Sequence, residues 1–178
     1  MFMDKSSETQ HRYTGLILLS GVDSPGISAS LFSALQPFAI TVIDIEQVVI
    51  RSRLILTVLI ELNPAHASAI EEDLNACAEN LNVDIAISFE SVPSESVEEK
   101  ANSRRFTLSA RKMIPGSIAS ITEYVLKNGG NIERIHRQAS SPQISFEFQI
   151  SGVNSQSFKS DLDLFAKDLD VHVTFQEK

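Results

Sequence analysis

The sequence is poor in several features that often identify a protein. Its 178 residues include one cysteine, Cys77. No intrachain disulfide and no cysteine-based zinc site can form, which fits a reducing compartment. Cations are also scarce: 15 Lys and Arg stand against 23 Asp and Glu, for a formal net charge of -8. A nucleic-acid binder needs a basic face to meet phosphates, and an anionic membrane surface asks for the same, so both partners are disfavoured. No apolar run approaches the length of a membrane span. The N-terminal stretch carries Asp4, Lys5 and Glu8 and lacks an apolar segment ending at small residues. It therefore reads as a polar leader rather than a signal peptide, and a cytoplasmic protein is expected. No glycine loop of the P-loop type and no dinucleotide fingerprint occurs. His11, His66, His136 and His172 stand at no metal-ligand spacing.

Hydrophobic residues make up 43% of the chain, enough for one domain or two small ones. The organising stretch is Gly21-Val22-Asp23-Ser24-Pro25-Gly26, followed by Ile27. It lies between the apolar run Leu16–Leu19 and a helix-like pattern of Ile27, Leu31 and Leu35. Strand, loop and helix are expected in that order. Free N–H groups at a helix start can receive an anionic group. Asp23 or Ser24 can cap them, and Pro25 suits the first helical position. Gly26 would permit close approach to the backbone. The plainer alternative is a capped helix start and nothing more.

After this helix, Ile40–Ile50 and Leu54–Leu62 read as a hairpin broken at Arg51-Ser52-Arg53. A helix with Ala67, Ile70, Leu74, Cys77 and Leu81 on one stripe follows, then a strand over Val83–Phe89. The order is β-α-β-β-α-β, the split-βαβ or ferredoxin-like arrangement. Residues 91–104 are serine- and glutamate-rich and read as a linker with a possible short helix over 96–102. The pattern then returns. Phe106–Arg111 is a strand, and Pro115-Gly116 opens a helix with Ile118, Ile121 and Val125 inward. Gly129-Gly130 closes it. Asn131–Ala139 and Gln143–Ser151 form a second hairpin turned at Ser140-Ser141-Pro142. A helix with Phe158, Leu162, Phe165 and Leu169 precedes a last strand over Val171–Phe175. At an offset of about ninety residues, Pro25-Gly26 meets Pro115-Gly116, Leu18 meets Leu108, Leu31 meets Ile121 and Ile45 meets Ile135, the count being read directly from the numbering. The chain is therefore two copies of one α+β unit, with domains expected over 14–90 and 105–178 after a leader of residues 1–13.

The duplicated turn is the main candidate site. A strand end, loop and helix start could receive the carboxylate and ammonium of a small amino acid, with Asp23 neutralising the ammonium. Asn131, opening the strand after the third helix and followed by Ile132, offers donor and acceptor. Thr41 holds its place in the first copy, and Met113 holds the place of Asp23 in the second. Each copy thus keeps one half, which suggests hybrid pockets between paired copies. Asp23 as a mere cap and Asn131 as a turn residue is the alternative.

Other patterns carry less. Asp161-Leu162-Asp163 superficially matches an aspartate-phosphatase core, but Phe158, Leu162 and Phe165 mark a helix, not the strand end such a nucleophile needs. Asp44 and Glu46 share a strand face without a third metal ligand. His136, at the place of Glu46, reads as a surface residue, and Cys77 reads as core. The cluster Arg104-Arg105 and Arg111-Lys112 reads as solvated. No catalytic residue and no metal site is expected in the chain.

The β-α-β-β-α-β order with its Pro-Gly turn resembles the ACT domain, a small regulatory module that binds amino acids. The segments Ser20–Gly26 and Val42-Ile43-Asp44-Ile45-Glu46-Gln47-Val48-Val49-Ile50-Arg51, with Arg53-Leu54, are similar to the tandem-ACT region of long actinobacterial-type phosphoserine phosphatases. That resemblance implies control by L-serine bound at an ACT–ACT interface, a homodimer through ACT domains, and a following phosphatase domain that uses magnesium. It also implies ligand contacts at Asp23 and Asn131, the positions that match; Met113 and Thr41 depart from the pattern. The chain would then be a regulatory piece without phosphatase activity of its own. A stand-alone tandem-ACT regulator of the glycine-cleavage-repressor type, acting through a protein partner, is the other expectation.

Overall fold

Alternation of apolar residues in the first strand decides which face of the first sheet is covered. In the computed structural model, which describes residues 11–93, 103–138, 142–153 and 157–176, β1 runs His11–Val22. Ile17 and Leu19 are buried on one face while Leu16 and Leu18 are exposed on the other. Helices α1 (Ile27–Leu35) and α2 (Ala67–Leu81) close the buried face with Ile27, Leu31, Leu35, Ile70 and Leu74. Strands β2 (Thr41–Ile50), β3 (Arg53–Glu61) and β4 (Asp84–Pro93) complete the sheet in the order β2-β3-β1-β4, every pairing antiparallel. A short 3₁₀ turn, Pro64–His66, leads into α2; the Asn63 side chain accepts from the Ala65 N–H at 2.9 Å.

The second copy repeats this plan. Strands β5 (Arg104–Ala110), β6 (Asn131–Gln138), β7 (Ile144–Ser151) and β8 (His172–Phe175) form the sheet β6-β7-β5-β8. Helices α3 (Pro115–Lys127) and α4 (Phe158–Asp168) cover one face. Its core is aromatic where the first is aliphatic: the Phe106 and Phe148 rings stack at 5.0 Å, and Tyr124 of α3 stacks on Phe165 of α4 at 4.9 Å. The chain divides into two compact units, residues 1–96 and 97–178, each with its own hydrophobic cluster.

The registers refine the internal offset. Leu18 is 48% exposed and Leu108 is fully buried, so the two are not equivalent. Leu19 pairs with Ile85, and Leu108 with Val173, so Leu108 answers to Leu19, one residue off the sequence count. The loop before α3 holds one residue more than its counterpart. From α1 onward the ninety-residue offset holds through both hairpins. Each edge strand even carries its register shift at the same place, between Val42 and Asp44 and between Ile132 and Arg134.

Other differences are local. β1 starts at His11 and β4 ends at Pro93, with Tyr13 facing Ser91. The strands thus extend into stretches that read as leader and linker. The inward residue at the start of α3 is Ser117, not Ile118: it takes the place of Ile27, and Ile118 is only half-buried. Ala166, not Phe165, is the third buried residue of α4. The possible helix over 96–102 and most of the turn at 140–142 lie outside the described residues.

Candidate functional site

The loop between β1 and α1 is shaped by one close approach and one left-handed residue. A Cβ on Gly21 would lie 2.5 Å from Val83 Cγ1, so β1 ends against the start of β4 as only glycine allows. Gly26 takes φ +93 and caps α1 with no side-chain hydrogen bond. Neither Asp23 nor Ser24 caps the helix, and Pro25 sits before the cap, not at the first helical position, because the left-handed turn at Gly26 delays the helix by two residues. Asp23 is held by its backbone instead: its N–H donates to Ser52 O at 2.9 Å, docking the loop on the β2–β3 turn. Its side chain faces solvent.

This late start leaves donors open. The first bond into α1 runs from Ser30 N–H to Gly26 O at 2.9 Å. The N–H groups of Ile27, Ser28 and Ala29 have no partner among the described residues. Ser28 Oγ donates to Gln47 Oε1 of β2 at 2.7 Å, tying the helix start to the edge strand. The second copy is different. Pro115 does occupy the first helical turn, and Ser117 and Ile118 N–H already bond to Ile114 O at 3.1 and 3.4 Å. Among the described residues only Gly116 N–H stays open there, because proline has none.

The predicted site residues therefore fall into separate groups. Gly21, Val22, Asp23, Ser24, Pro25, Gly26 and Ile27 form one loop, exposed from Val22 to Gly26 between a buried Gly21 and a buried Ile27. Met113, Pro115 and Gly116 form the shorter-donor loop at the end of β5. Asn131 and Ile132 lie at the far end of that sheet: Ala110 pairs with Ile144, and Asn131 with Ser151. Seven steps of β7 separate the two, about 20 Å at strand rise. One unit cannot bring Asn131 to its own helix-start loop.

The remaining groups are as bland as their sequence suggests, or more so. Asp163 pairs with Lys167 at 3.3 Å along α4, and Asp161 is exposed. Asp44 accepts from the Ile45 N–H. Cys77 is buried on α2, and desolvation pushes its thiol pKa up, away from nucleophilic use. Among the described residues no group of three or more His, Cys, Asp or Glu could hold a metal ion. No helix among the described residues is long and apolar enough to cross a membrane. Sequence reasoning missed the Ser28–Gln47 link and the Ser52 contact, because both depend on how the hairpin folds back.

Fold and loop together define a tandem pair of ferredoxin-like α+β units, each with a strand–loop–helix start. Residues 14–88 match the family model of the ACT domain. The chain is 30% identical over 170 residues to a phosphoserine phosphatase of Streptomyces coelicolor, covering 94% of this chain and 41% of that protein. It is 32% identical over 79 residues to the UPF0237 protein of Methanopyrus kandleri, 43% of this chain and 88% of that one. A crystal structure described as a glycine cleavage system transcriptional repressor superposes with a TM-score of 0.73 at 16% identity, over 93% of this chain and 96% of the other; at that identity the likeness shows the fold. The chain belongs to the ACT-domain family. It spans about two fifths of the length of the Streptomyces phosphatase it matches.

Proposed function

We propose that the chain is the amino-acid-sensing regulatory region of a phosphoserine phosphatase in serine biosynthesis, and that it binds L-serine. The observation that carries this reading is the similarity to a phosphoserine phosphatase across 94% of the chain. The open N–H groups of α1 support it: they suit a carboxylate, and Asp23 beside them suits an ammonium. In this reading Asn131 completes the receptor from a different ACT domain than the loop it serves, since its own loop is too far away. Domain pairing, within a homodimer, would then depend on the ligand. Serine shifts the population of a magnesium-dependent phosphatase domain outside this chain only insofar as it favours one pairing over another.

Calorimetric titration of the chain with L-serine, glycine and L-alanine tests the reading. Serine should bind most tightly, and Asp23→Ala and Asn131→Ala should each weaken it about tenfold, the loss of one hydrogen bond to a charged group. Unchanged affinity in both variants rules out the shared receptor. No heat with any of the three removes the sensing role.

A further inference from the structure

The second unit carries a cavity whose charge is opposite to that of the matching positions in its twin. A cavity of about 490 Å³ opens at the end of the second sheet, lined by Ser109, Arg111, Gln143, Lys167, Asp170 and His172 over a floor of Ala110 and Val171. Four segments converge there. They are the end of β5, the residue before β7, the turn after α4, and the first residue of β8. Asp170 holds that turn in the left-handed region, φ +54. The turn is closed by Val171 N–H to Ala166 O at 3.1 Å.

The first unit supplies an internal control, because the same backbone recurs with other side chains. Asn82 takes φ +53, and Val83 N–H bonds Ala78 O at 3.1 Å. Ser20 pairs with Asp84 as Ser109 pairs with His172. By these registers Arg111 answers to Val22, Gln143 to Arg53, Lys167 to Glu79, Asp170 to Asn82 and His172 to Asp84. The charge has reversed: Arg53, Glu79 and Asp84 leave the first position net negative, while Arg111 and Lys167 against Asp170 leave the second net positive. This happens in a chain whose total is -8.

The donor set selects a ligand class. Arg111 offers a planar fork to an oxyanion, and Lys167, His172, Ser109 and Gln143 add donors around it. A bare anion is not the best occupant, because Asp170 and the carbonyl end of α4 oppose it. They favour an ammonium. We infer that this cavity is a second small-molecule site, for an amine-bearing molecule with an extra oxyanion, a phosphorylated or dicarboxylic amino acid. The volume lies within the range of small-molecule sites. The inference does not rest on serine binding at the α1 loop.

The test is calorimetry and amide-shift mapping on the whole chain with O-phospho-L-serine, L-aspartate and inorganic phosphate as probes. At least one of the two amino acids should bind with shifts at Ser109, Arg111, Gln143 and His172. Arg111→Gln should weaken it about tenfold and Lys167→Gln by less, as expected for a paired charge that also has Asp163 for company. Glu79→Lys, at the matching place in the first unit, should change nothing. Which amino acid binds distinguishes phosphate from carboxylate recognition. Inorganic phosphate binding as tightly as either amino acid overturns the ammonium half of the site. Absence of saturable binding, or equal affinity in Arg111→Gln, overturns the whole.

Discussion

The two units share a backbone and differ in the sheet face that no helix covers. In the first unit that face presents Leu16, Leu18, Val48, Ile50 and Ile55, all exposed. In the second, the matching strands present Thr107, Ser109, Arg134, His136, Gln138, Ser145, Glu147 and Gln149, as their registers show. There the polar groups bond one another: Gln138 donates to Glu147 at 3.1 Å, and Ser109 and Ser145 meet at 2.9 Å. The cores covered by the helices, by contrast, stayed largely apolar in both copies, although Ser117 takes the place of Ile27. Duplication preserved what folds each unit and let the outward chemistry drift. Exposed apolar residues, interspersed with Ser20, Glu46 and Thr57, make the first unit's open face the more hydrophobic of the two.

If the units fold independently, damage to one should spare the other. Phe148→Ala removes a fully buried ring from the second core and should cost that unit about 3–5 kcal/mol. The lone cysteine lies in the first unit, so its alkylation rate under partial denaturation reports that unit alone. The melting curve should split while Cys77 labelling stays put; a joint loss would show the cores to be coupled. Gly21→Ala probes the loop asymmetry, since Ala110 already fills the matching place. With Val83 Cγ1 at 2.5 Å from the new Cβ, about 1–3 kcal/mol should be lost from overpacking. Val83→Ala in the same chain should recover part of it, as denaturant midpoints will show. A smaller gain is expected at the first hairpin. Arg51 and Ser52 turn it with φ +47 and +66, where Asn-Gly is preferred, and Arg51→Asn with Ser52→Gly should stabilise the first unit by about 1 kcal/mol. The smallest effect belongs to the open face. Leu18→Thr, copying the second unit, should move stability by no more than about 0.5 kcal/mol yet reduce binding of an apolar dye; unchanged dye binding would mean that the exposed face is not what the dye reads.

Both copies of the fold were legible because their elements follow strong periodicity. Ile27, Leu31 and Leu35 at steps of four, and the alternation around Ile17, admit few other readings. Details failed where local chemistry had two outcomes. The Asp-Ser-Pro-Gly run carries cap residues and a glycine, and the left-handed Gly26 prevailed over the Asp23 or Ser24 cap. Leu18 and Leu108 matched by count because adjacent strand residues are both apolar; only pairing registers tell the covered face from the open one. The candidate site was legible as a loop, not as a receptor. That three N–H groups stay open in one copy and one in the other follows from the left-handed turn at Gly26, which starts α1 two residues later than the matching Pro115 starts α3, and no spacing rule announces it. Arg111 was visible as part of a short basic cluster, but its neighbours Lys167 and His172 come from distant sequence and meet it only after folding.

The shared irregularity in β2 and β6 bears on growth rather than on binding. A filament needs outer edges that are regular along their whole length, so that each added molecule presents the same template as the last. Here the extra residue at Ile43 and at Glu133 breaks the rhythm two positions into each outer strand. Only the straight remainder, from Asp44 and from Arg134 onward, can accept a neighbour in register. The irregularity thus shortens the template that each of these two edges offers to an added strand.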